Sequence, residues 1–232
     1  MILGQNFEFA ALQEAKNYRR AIVREFEGFL RGRVLEIGAG IGQISAVVAS
    51  QPDVQHVLAV EPDEKFVQQF QRSSPKIQIL HGTADRVDDR DWNALLSVNV
   101  LEHIQDDSAE LSRYQKLLAP ENGFLCLLVP ARPELYSPID RDFGHFRRYC
   151  PVDLRTKLID AGMEIVRLSY FNFIGYFAWA ISFRIFGRRS FNASAVRLFD
   201  RFVFPVGYAV ERALARPPLG QSLIAVARSK SE

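Results

Sequence analysis

The sequence predicts an α/β fold built on a mostly parallel sheet, and three observations support this prediction. Short apolar stretches alternate with segments of helical periodicity between Val34 and Val129, as in sheets whose strands are buried on both faces. One apolar stretch ends in a glycine-rich turn, residues 38–42, that leads into a helix. A length of 232 residues suffices for one such domain with a complete core and a small appended lobe.

The predicted strands and helices follow one another in regular order. Strands are predicted at 34–37, 57–60, 77–80, 94–98, 124–129, 164–168 and 222–227. Helices are predicted at 8–30, 44–50, 65–71, 105–118 and 153–161, mainly from apolar residues spaced three or four apart. A long stretch of chain separates the last two strands, and we expect it to form an insertion.

The turn after the first of these strands carries the clearest functional signal. Its glycines let backbone N–H groups and a helix N-terminus approach a ligand without obstruction by a Cβ atom. The third glycine, Gly42, comes one position earlier than in the dinucleotide fingerprint. An acid, Glu36, lies inside the strand, and a second acid, Glu61, ends the next strand. The distance from Gly42 to Glu61 along the chain is about that at which an acid binds two ribose hydroxyls, so the pattern predicts a nucleotide-like cofactor and disfavours a nicotinamide.

Two motifs resemble one known family. The block Glu36-x-Gly-x-Gly-x-Gly together with Glu61 resembles the class I S-adenosylmethionine-dependent methyltransferases, and so does Asn-Val-Leu-Glu-His-Ile at 99–104. The resemblance implies a Rossmann-like fold whose seven-stranded sheet is mostly parallel, with an antiparallel last strand. It also implies S-adenosyl-L-methionine as the cofactor.

The resemblance further implies which residues bind the cofactor. Glu36 would bind the amino group of the cofactor through water, the glycines would lie alongside its methionine part, and Glu61 would bind the ribose. Asp85 would contact the adenine amino group, unless it is only a solvated loop aspartate. Tyr18 and Arg19 would meet the methionine carboxylate, unless they serve only packing and solvation. The full set is Tyr18, Arg19, Glu36, Gly38, Ala39, Gly40, Gly42, Glu61, Pro62, Asp85, Asn99 and Val100.

A polar segment after the fifth strand is the predicted acceptor site. Its pattern Asp-x-x-x-Gly-His-x-Arg-Arg-Tyr, at 140–149, resembles a bacterial subgroup of these enzymes, and loops at strand ends commonly carry function. Because histidine suits a general base at neutral pH, His145 is the first catalytic candidate and His103 the second. The expected acceptor contacts are Tyr136, Asp140, Arg147, Arg148 and Tyr149, with the arginines suited to a phosphate or carboxylate. In the alternative, His103 packs under the cofactor and the arginines hold the loop by ion pairs.

Charge and aromatic residues are unevenly distributed. Residues 1–130 have a net charge of −5, whereas residues 131–232 have a net charge of +7 and contain 11 of the 18 phenylalanines. Two aromatic, arginine-bearing stretches, 170–186 and 196–214, lie in the expected insertion, and the first is too short to span a bilayer. The insertion is therefore expected to be a lid, a homodimer face or a contact with a membrane interface. Nucleic acid is not expected as a partner, because the arginines are interleaved with large apolar side chains and no recognition motif is present.

These observations combine into one functional prediction. Residues 1–168 and 221–232 would form the S-adenosylmethionine-binding domain, and 169–220 the insertion. The expected reaction is O-methylation of a small acceptor, lipid-linked or glycan-like; the alternatives are N-methylation and a non-catalytic cofactor-binding regulatory or scaffold subunit. Residues 1–10 show no secretion signal, and two cysteines suggest neither a disulfide framework nor a metal cluster. A cytoplasmic location, or a peripheral one on the inner face of the membrane, and no metal ion are expected.

Overall fold

A seven-stranded sheet forms the centre of the computed structural model, which describes residues 13–214 and 217–229. The strand order is β3-β2-β1-β4-β5-β7-β6. The strands are β1 (Gly32–Ile37), β2 (Val54–Glu61), β3 (Ile77–His81), β4 (Ala94–Val98), β5 (Phe124–Pro130), β6 (Met163–Phe171) and β7 (Ser222–Ser229). Strand β7 runs antiparallel to both of its neighbours, whereas β1 to β5 pair in parallel. The predicted mostly parallel sheet with an antiparallel last strand is confirmed.

Helices and short helical turns connect the strands. The α-helices are α1 (Lys16–Glu25), α2 (Gln43–Ala49), α3 (Glu64–Gln68), α4 (Asp107–Leu117), α5 (Pro138–Asp142), α6 (Pro151–Asp160), α7 (Phe173–Trp179), α8 (Ala193–Leu198) and α9 (Phe204–Ala213). Single 3₁₀ turns occupy Ala84–Arg86, Leu101–His103 and Pro133–Leu135. Two π-helical segments occupy Ala180–Ile185 and Phe199–Val203.

The core lies in two layers, one on each face of the sheet. Along β5, Leu125 and Leu127 belong to one layer, while Cys126 and Leu128 belong to the other, and all four are fully buried. Successive side chains of a strand point to opposite faces. A strand with helices on both sides is therefore apolar at every position, which explains why these strands could be predicted from sequence.

The first helix is shorter than the sequence predicts. Of the predicted range 8–30, residues 8–12 lie outside the described part of the chain. Helix α1 ends at Glu25, because Phe26 departs from helical geometry and Gly28 adopts a positive φ of 85°. The side chain of Phe26 is fully buried, so the core fixes the point at which the helix stops.

The region between β6 and β7 is helical, as expected. Strand β6 continues to Phe171, past its predicted boundary at Leu168, and α7 then runs directly into the first π-helical segment. Helix α8, the second π-helical segment and α9 form a nearly continuous helical stretch from Ala193 to Ala213. Within residues 13–214 and 217–229, no helix combines the length and the apolar character needed to cross a membrane.

Candidate functional site

Three strand ends at one edge of the sheet carry unusual backbone conformations. A residue with a positive φ angle follows each of these strands: Asn99 (53°) follows β4, Arg132 (67°) follows β5 and Asn172 (62°) follows β6. Such angles are uncommon outside glycine and cluster where function requires them. Since β4, β5 and β6 point in the same direction, the three residues lie on the carboxyl edge, where open α/β sheets bind ligands.

A cavity of about 330 Å³ opens at this edge, between the ends of β1, β2 and β4. Most of the residues predicted to bind the cofactor line it: Arg19, Glu36, Gly38, Ala39, Glu61, Pro62, Asn99 and Val100. His103 lines it as well. The sequence motifs therefore meet around one space, although they come from four separate stretches of chain.

The glycine loop is packed too tightly for side chains at two positions. Gly38 has a φ of 76°, and a Cβ atom there would lie 2.3 Å from the Cγ2 atom of Val100. Gly42, which precedes α2, has a φ of 86°, and its Cβ atom would lie 2.8 Å from the ring of Phe70. The close approach of loop and neighbours explains why glycine occupies both positions.

Glu61 holds the glycine loop through its carboxylate. Its Oε2 atom accepts the backbone N–H of Gly40 at 2.8 Å, and its Oε1 atom accepts that of Asp63 at 2.9 Å. Burial raises the pKa of Glu61, opposed by these two hydrogen bonds. The side chain thus supports the loop and also lines the cavity.

Glu36 is a second buried acid in the same cavity. Its side chain is almost fully buried, and Oε2 accepts the hydroxyl of Ser45 at 2.5 Å. Burial raises the pKa of Glu36 to about 7, opposed by the Ser45 hydrogen bond and reinforced by the nearby charge of Glu61. Two poorly solvated carboxyl groups make the cavity attractive to a cationic ligand.

Four predicted cofactor contacts lie elsewhere. Gly40 and Gly42 shape the loop without lining the cavity, and Tyr18 lines a neighbouring cavity instead. Asp85 is exposed and accepts a hydrogen bond from the hydroxyl of Thr83. Gly82, Thr83 and Ala84 line the cavity, whereas Asp85, the next residue in the chain, does not.

A larger cavity of about 720 Å³ adjoins the first, and Asn99 lines both. Its walls come from α1, from the strand ends and from the insertion. The aromatic lining residues are Tyr18, Trp179, Phe183, Phe191, Phe199 and Phe204, and the cationic ones are Arg188 and Arg189. Sequence reasoning missed Asn172, Trp179 and Gln221 as lining residues; a signal existed only for Asn172, because asparagine tolerates a left-handed backbone after a strand.

The two catalytic candidates, His103 and His145, are in contact. Their ring centroids are 4.6 Å apart with the rings nearly perpendicular. Nδ1 of His145 lies 3.1 Å from Oδ1 of Asp140. Burial, together with the nearby His145, lowers the pKa of His103 to about 4, so its ring is neutral at physiological pH.

Asp140 and Arg148 form a buried ion pair behind the histidines. Nε of Arg148 donates to Oδ1 of Asp140 at 2.8 Å, and Nη1 donates to the carbonyl of Ala131 at 3.1 Å. The guanidinium also lies 4.4 Å from the ring centre of Trp179. Asp140 therefore orients both His145 and Arg148 from a fully buried position.

Arg147 and Tyr149 fasten the same loop to the segment after β4. Arg147 donates to the carbonyls of Ile104 at 3.0 Å and Gln105 at 2.7 Å, and pairs with Asp107 at 2.8 Å. The hydroxyl of Tyr149 donates to Oδ2 of Asp107 at 2.8 Å.

None of the five predicted acceptor contacts lines either of the two cavities. Tyr136, the fifth, donates its hydroxyl to the carbonyl of His145 at 2.8 Å. The geometry favours the alternative that the polar segment is held together by its own ion pairs and hydrogen bonds.

Comparison with known proteins identifies a matching family and several solved structures with a similar fold. The family described as "Methyltransferase domain" matches residues 10–168. A chain from the Haloferax volcanii complex between the Trm112 methyltransferase activator and an assigned methyltransferase has a TM-score of 0.66 and 13% identity, covering 97% of this chain and 94% of that one. A SAM-dependent methyltransferase from Archaeoglobus fulgidus has a TM-score of 0.61 and 17% identity, covering 92% and 94%. One from Mesorhizobium loti has a TM-score of 0.60 and 14% identity, covering 90% and 95%. No curated protein matches the sequence.

Proposed function

The chain belongs to the methyltransferase-domain family; on that premise, we propose that it is an S-adenosylmethionine-dependent methyltransferase and that it methylates an oxygen of a small amphiphilic acceptor. The single observation that carries this proposal is the meeting of two cavities at Asn99. The smaller cavity, with its two buried acids, suits the cationic cofactor. The larger cavity would then hold the acceptor, directly beside the methyl group of the bound cofactor.

The lining of the larger cavity supports an acceptor with an apolar body and an anionic group. Aromatic side chains of the insertion line this cavity, and so do Arg188 and Arg189. The guanidinium of Arg189 is paired with Asp142, which leaves Arg188 as the first candidate for an anionic group. Aromatic side chains bury large apolar areas, and arginine suits phosphate and carboxylate. A lipid-linked or glycan-like molecule with a phosphate or carboxylate combines these properties.

The polar segment at 140–149 would then position the catalytic histidines, and its arginines would not contact the acceptor. Asp140, Arg148, Arg147 and Tyr149 are engaged within the protein, and we assign them a positioning role. Their combined effect is to hold His145 against His103, which lines the cofactor cavity.

The transfer itself needs alignment and the removal of one proton. The acceptor oxygen forms a bond to the methyl carbon while the carbon–sulfur bond breaks, and sulfur keeps the electron pair, giving S-adenosylhomocysteine. Alignment of the two reactants supplies a large part of the rate. In this proposal the hydroxyl proton passes to the imidazole pair, with His145 oriented by Asp140 as the group that retains it.

The outer face of the insertion supports work at a membrane. Ile185 and Phe186 are 71% and 69% exposed, and further exposed apolar side chains follow along α8 and α9. Arg184 and Arg201 are exposed among them. Apolar side chains with neighbouring cations suit the interface of an anionic bilayer, so we propose peripheral contact on the cytoplasmic side; a homodimer face is the alternative.

N-methylation is the second candidate, and one observation favours it. The low pKa of His103 makes this imidazole a weak base at neutral pH, and a neutral amine needs less help from a base than a hydroxyl does. Under this alternative, His145 would be dispensable for transfer. The non-catalytic alternative differs from both in giving no product.

Labelled transfer tests the proposal. The protein is incubated with S-adenosyl-[methyl-³H]methionine and bacterial extracts divided into an organic-soluble and an aqueous fraction. We expect label to enter the organic-soluble fraction, and His145→Asn to bind the cofactor normally in calorimetry but to transfer about 100-fold or more slowly. The variant His56→Asn, at a histidine that lines neither cavity, is the matched control. Normal transfer by His145→Asn would contradict the base assignment, and absence of cofactor binding would contradict the enzyme assignment.

A further inference from the structure

We propose that Glu102, His103 and His145 form a binding site for a divalent transition-metal ion of the zinc type. One carboxylate oxygen of Glu102 and one ring nitrogen of each histidine all lie within 4.8 Å of one another. Bonds of about 2.0–2.2 Å place the ligands of a tetrahedral zinc ion about 3.4 Å apart. The three ligand atoms therefore have to approach one another by about 1 Å when an ion binds.

The ligand types favour zinc and its neighbours. Two imidazoles and one carboxylate are a common ligand set for Zn²⁺ when a fourth position stays open. Magnesium and calcium prefer all-oxygen surroundings, which this site does not offer. The site could not be predicted from the sequence, because His145 lies far from His103 along the chain. The low number of cysteines also gave no indication of a metal site.

His145 has the second hydrogen bond that metal ligands commonly carry, because its Nδ1 atom faces Oδ1 of Asp140 at 3.1 Å. A carboxylate or carbonyl on one ring nitrogen fixes the tautomer and directs the other nitrogen to the metal. Asp140 is itself fixed by Arg148 at 2.8 Å, so this outer shell is ordered before any metal binds.

The backbone around the site is also connected. Glu102 and His103 belong to one 3₁₀ turn, and the N–H of Phe146 donates to the carbonyl of Glu102 at 2.8 Å. The two segments that supply the ligands are therefore held in register by a direct hydrogen bond. His103 lines the cofactor cavity, which gives an ion a path to the site.

Metal binding has a consequence that rests on the proposed function. One nitrogen of His145 cannot bind a metal ion and accept a proton at the same time. Occupation of the site by Zn²⁺ should therefore inhibit methyl transfer while leaving S-adenosylmethionine binding intact.

Titration of the untagged, chelator-treated, full-length protein with Co²⁺ and Zn²⁺ tests the site without relying on activity. We expect one Co²⁺ per chain, with the visible absorption of a four- or five-coordinate ion, and displacement of Co²⁺ by Zn²⁺. His103→Asn, His145→Asn and Glu102→Gln should each abolish this absorption, while Asp140→Asn should weaken binding by about 10- to 100-fold.

The chain supplies matched controls. The remaining two histidines, His56 and His81, lie outside the site, and Cys150 is the more accessible of the two free cysteines. The double variant His56→Asn/His81→Asn and the variant Cys150→Ser should bind Co²⁺ like the wild type. Thermal unfolding followed by circular dichroism checks that each ligand variant is folded.

The outcomes separate this site from the proposed function. Absence of Co²⁺ binding by a protein that binds S-adenosylhomocysteine would overturn the metal site alone. Unchanged Co²⁺ binding by the three ligand variants would also overturn it. Co²⁺ binding with activation of transfer would support the site but contradict the assignment of His145 as base.

Discussion

The carboxylate of Asp200 caps the helix that carries Tyr18. Its Oδ1 atom accepts the backbone N–H of Tyr18 at 2.9 Å, and its Oδ2 atom accepts that of Asn17 at 3.0 Å. Ala15 at the N-cap position of α1 has no side-chain acceptor to offer, and the first N–H groups of a helix lack partners within it. An acid from the insertion, close to the other end of the sequence, supplies the missing acceptor and joins the insertion to α1.

Asp200→Ala should therefore destabilise the protein and disturb the site together. Loss of a cap typically costs about 1–2 kcal/mol, and Tyr18 lines the larger cavity while Arg19 lines the smaller one. Thermal unfolding should show a lower Tm, and calorimetry a weaker affinity for S-adenosylmethionine. Arg197→Ala, which breaks only the exposed ion pair with Glu14 at the same junction, is the control and should have little effect. Equal effects of the two variants would contradict the cap.

Glu61→Ala should weaken cofactor binding strongly. The side chain holds Gly40 and is proposed to bind the ribose, and hydrogen bonds to a charged group contribute about 1.5–3 kcal/mol each. We expect about a 30- to 1000-fold increase in the Kd for S-adenosylmethionine. Glu64→Ala, an exposed acid shortly after it in the chain, should bind as the wild type does. A wild-type Kd for Glu61→Ala would show that the proposed cofactor pose is wrong.

Cofactor affinity should fall as the pH falls below 7. Burial raises the pKa of Glu36 to about 7, so the carboxylate that would attract the cofactor's amino group becomes protonated below this value. Binding requires the ionised form, and the affinity should therefore decrease, approaching about tenfold per pH unit below the pKa. Calorimetry between pH 8 and pH 5.5 measures this slope. Glu36→Gln should bind weakly with little pH dependence over this range, and a wild-type affinity equal at pH 8 and pH 6 would contradict the assignment.

The fold could be predicted from the sequence because its determinants are local. Each parallel strand is a short apolar run, such as Phe124 to Val129, and buried strands need apolar residues on both faces. The glycine loop could also be predicted, since its close packing against Val100 and Phe70 permits only glycine at two positions. Helix α1 was predicted too long because its end is set by the burial of Phe26 and the conformation of Gly28, which periodicity does not reveal.

The site was predictable only where it lies on contiguous motifs. Glu36, Gly38 and Glu61 stand at strand ends whose position follows from the alternation of strands and helices. The larger cavity depends on the packing of the insertion against α1, as in the Asp200 cap, and no spacing rule places Trp179 beside Arg148. The arginines of the polar segment could be assigned to an anion or to ion pairs equally well, because their partners, Asp107 for Arg147 and Asp140 for Arg148, are identified only by the folded structure.

Breaking the buried pair of Asp140 and Arg148 should be costly. Both side chains are almost fully buried, and removal of one partner of a buried ion pair typically costs about 3–5 kcal/mol because a charge is left uncompensated. Arg148→Met should lower the denaturant midpoint by a corresponding amount and impair transfer more than cofactor binding, since His145 shares the Asp140 carboxylate. Arg141→Met, an exposed position on the same short helix as Asp140, is the control. Stability equal to that of the wild type would show that the pair does not hold the polar segment.

Contact with a membrane should depend on the exposed apolar tip of the insertion. We expect the protein to sediment with anionic phosphatidylglycerol vesicles, less with neutral phosphatidylcholine vesicles, and less again at high salt, because arginines near the interface interact with anionic headgroups. Ile185→Asp/Phe186→Asp should reduce this binding by about tenfold or more. Val152→Asp, at a site that is 73% exposed but outside the insertion, should not change it. If the wild-type protein ignores vesicles but forms a dimer that the double variant dissociates in analytical ultracentrifugation, the same surface is a homodimer face and the proposed membrane contact is wrong.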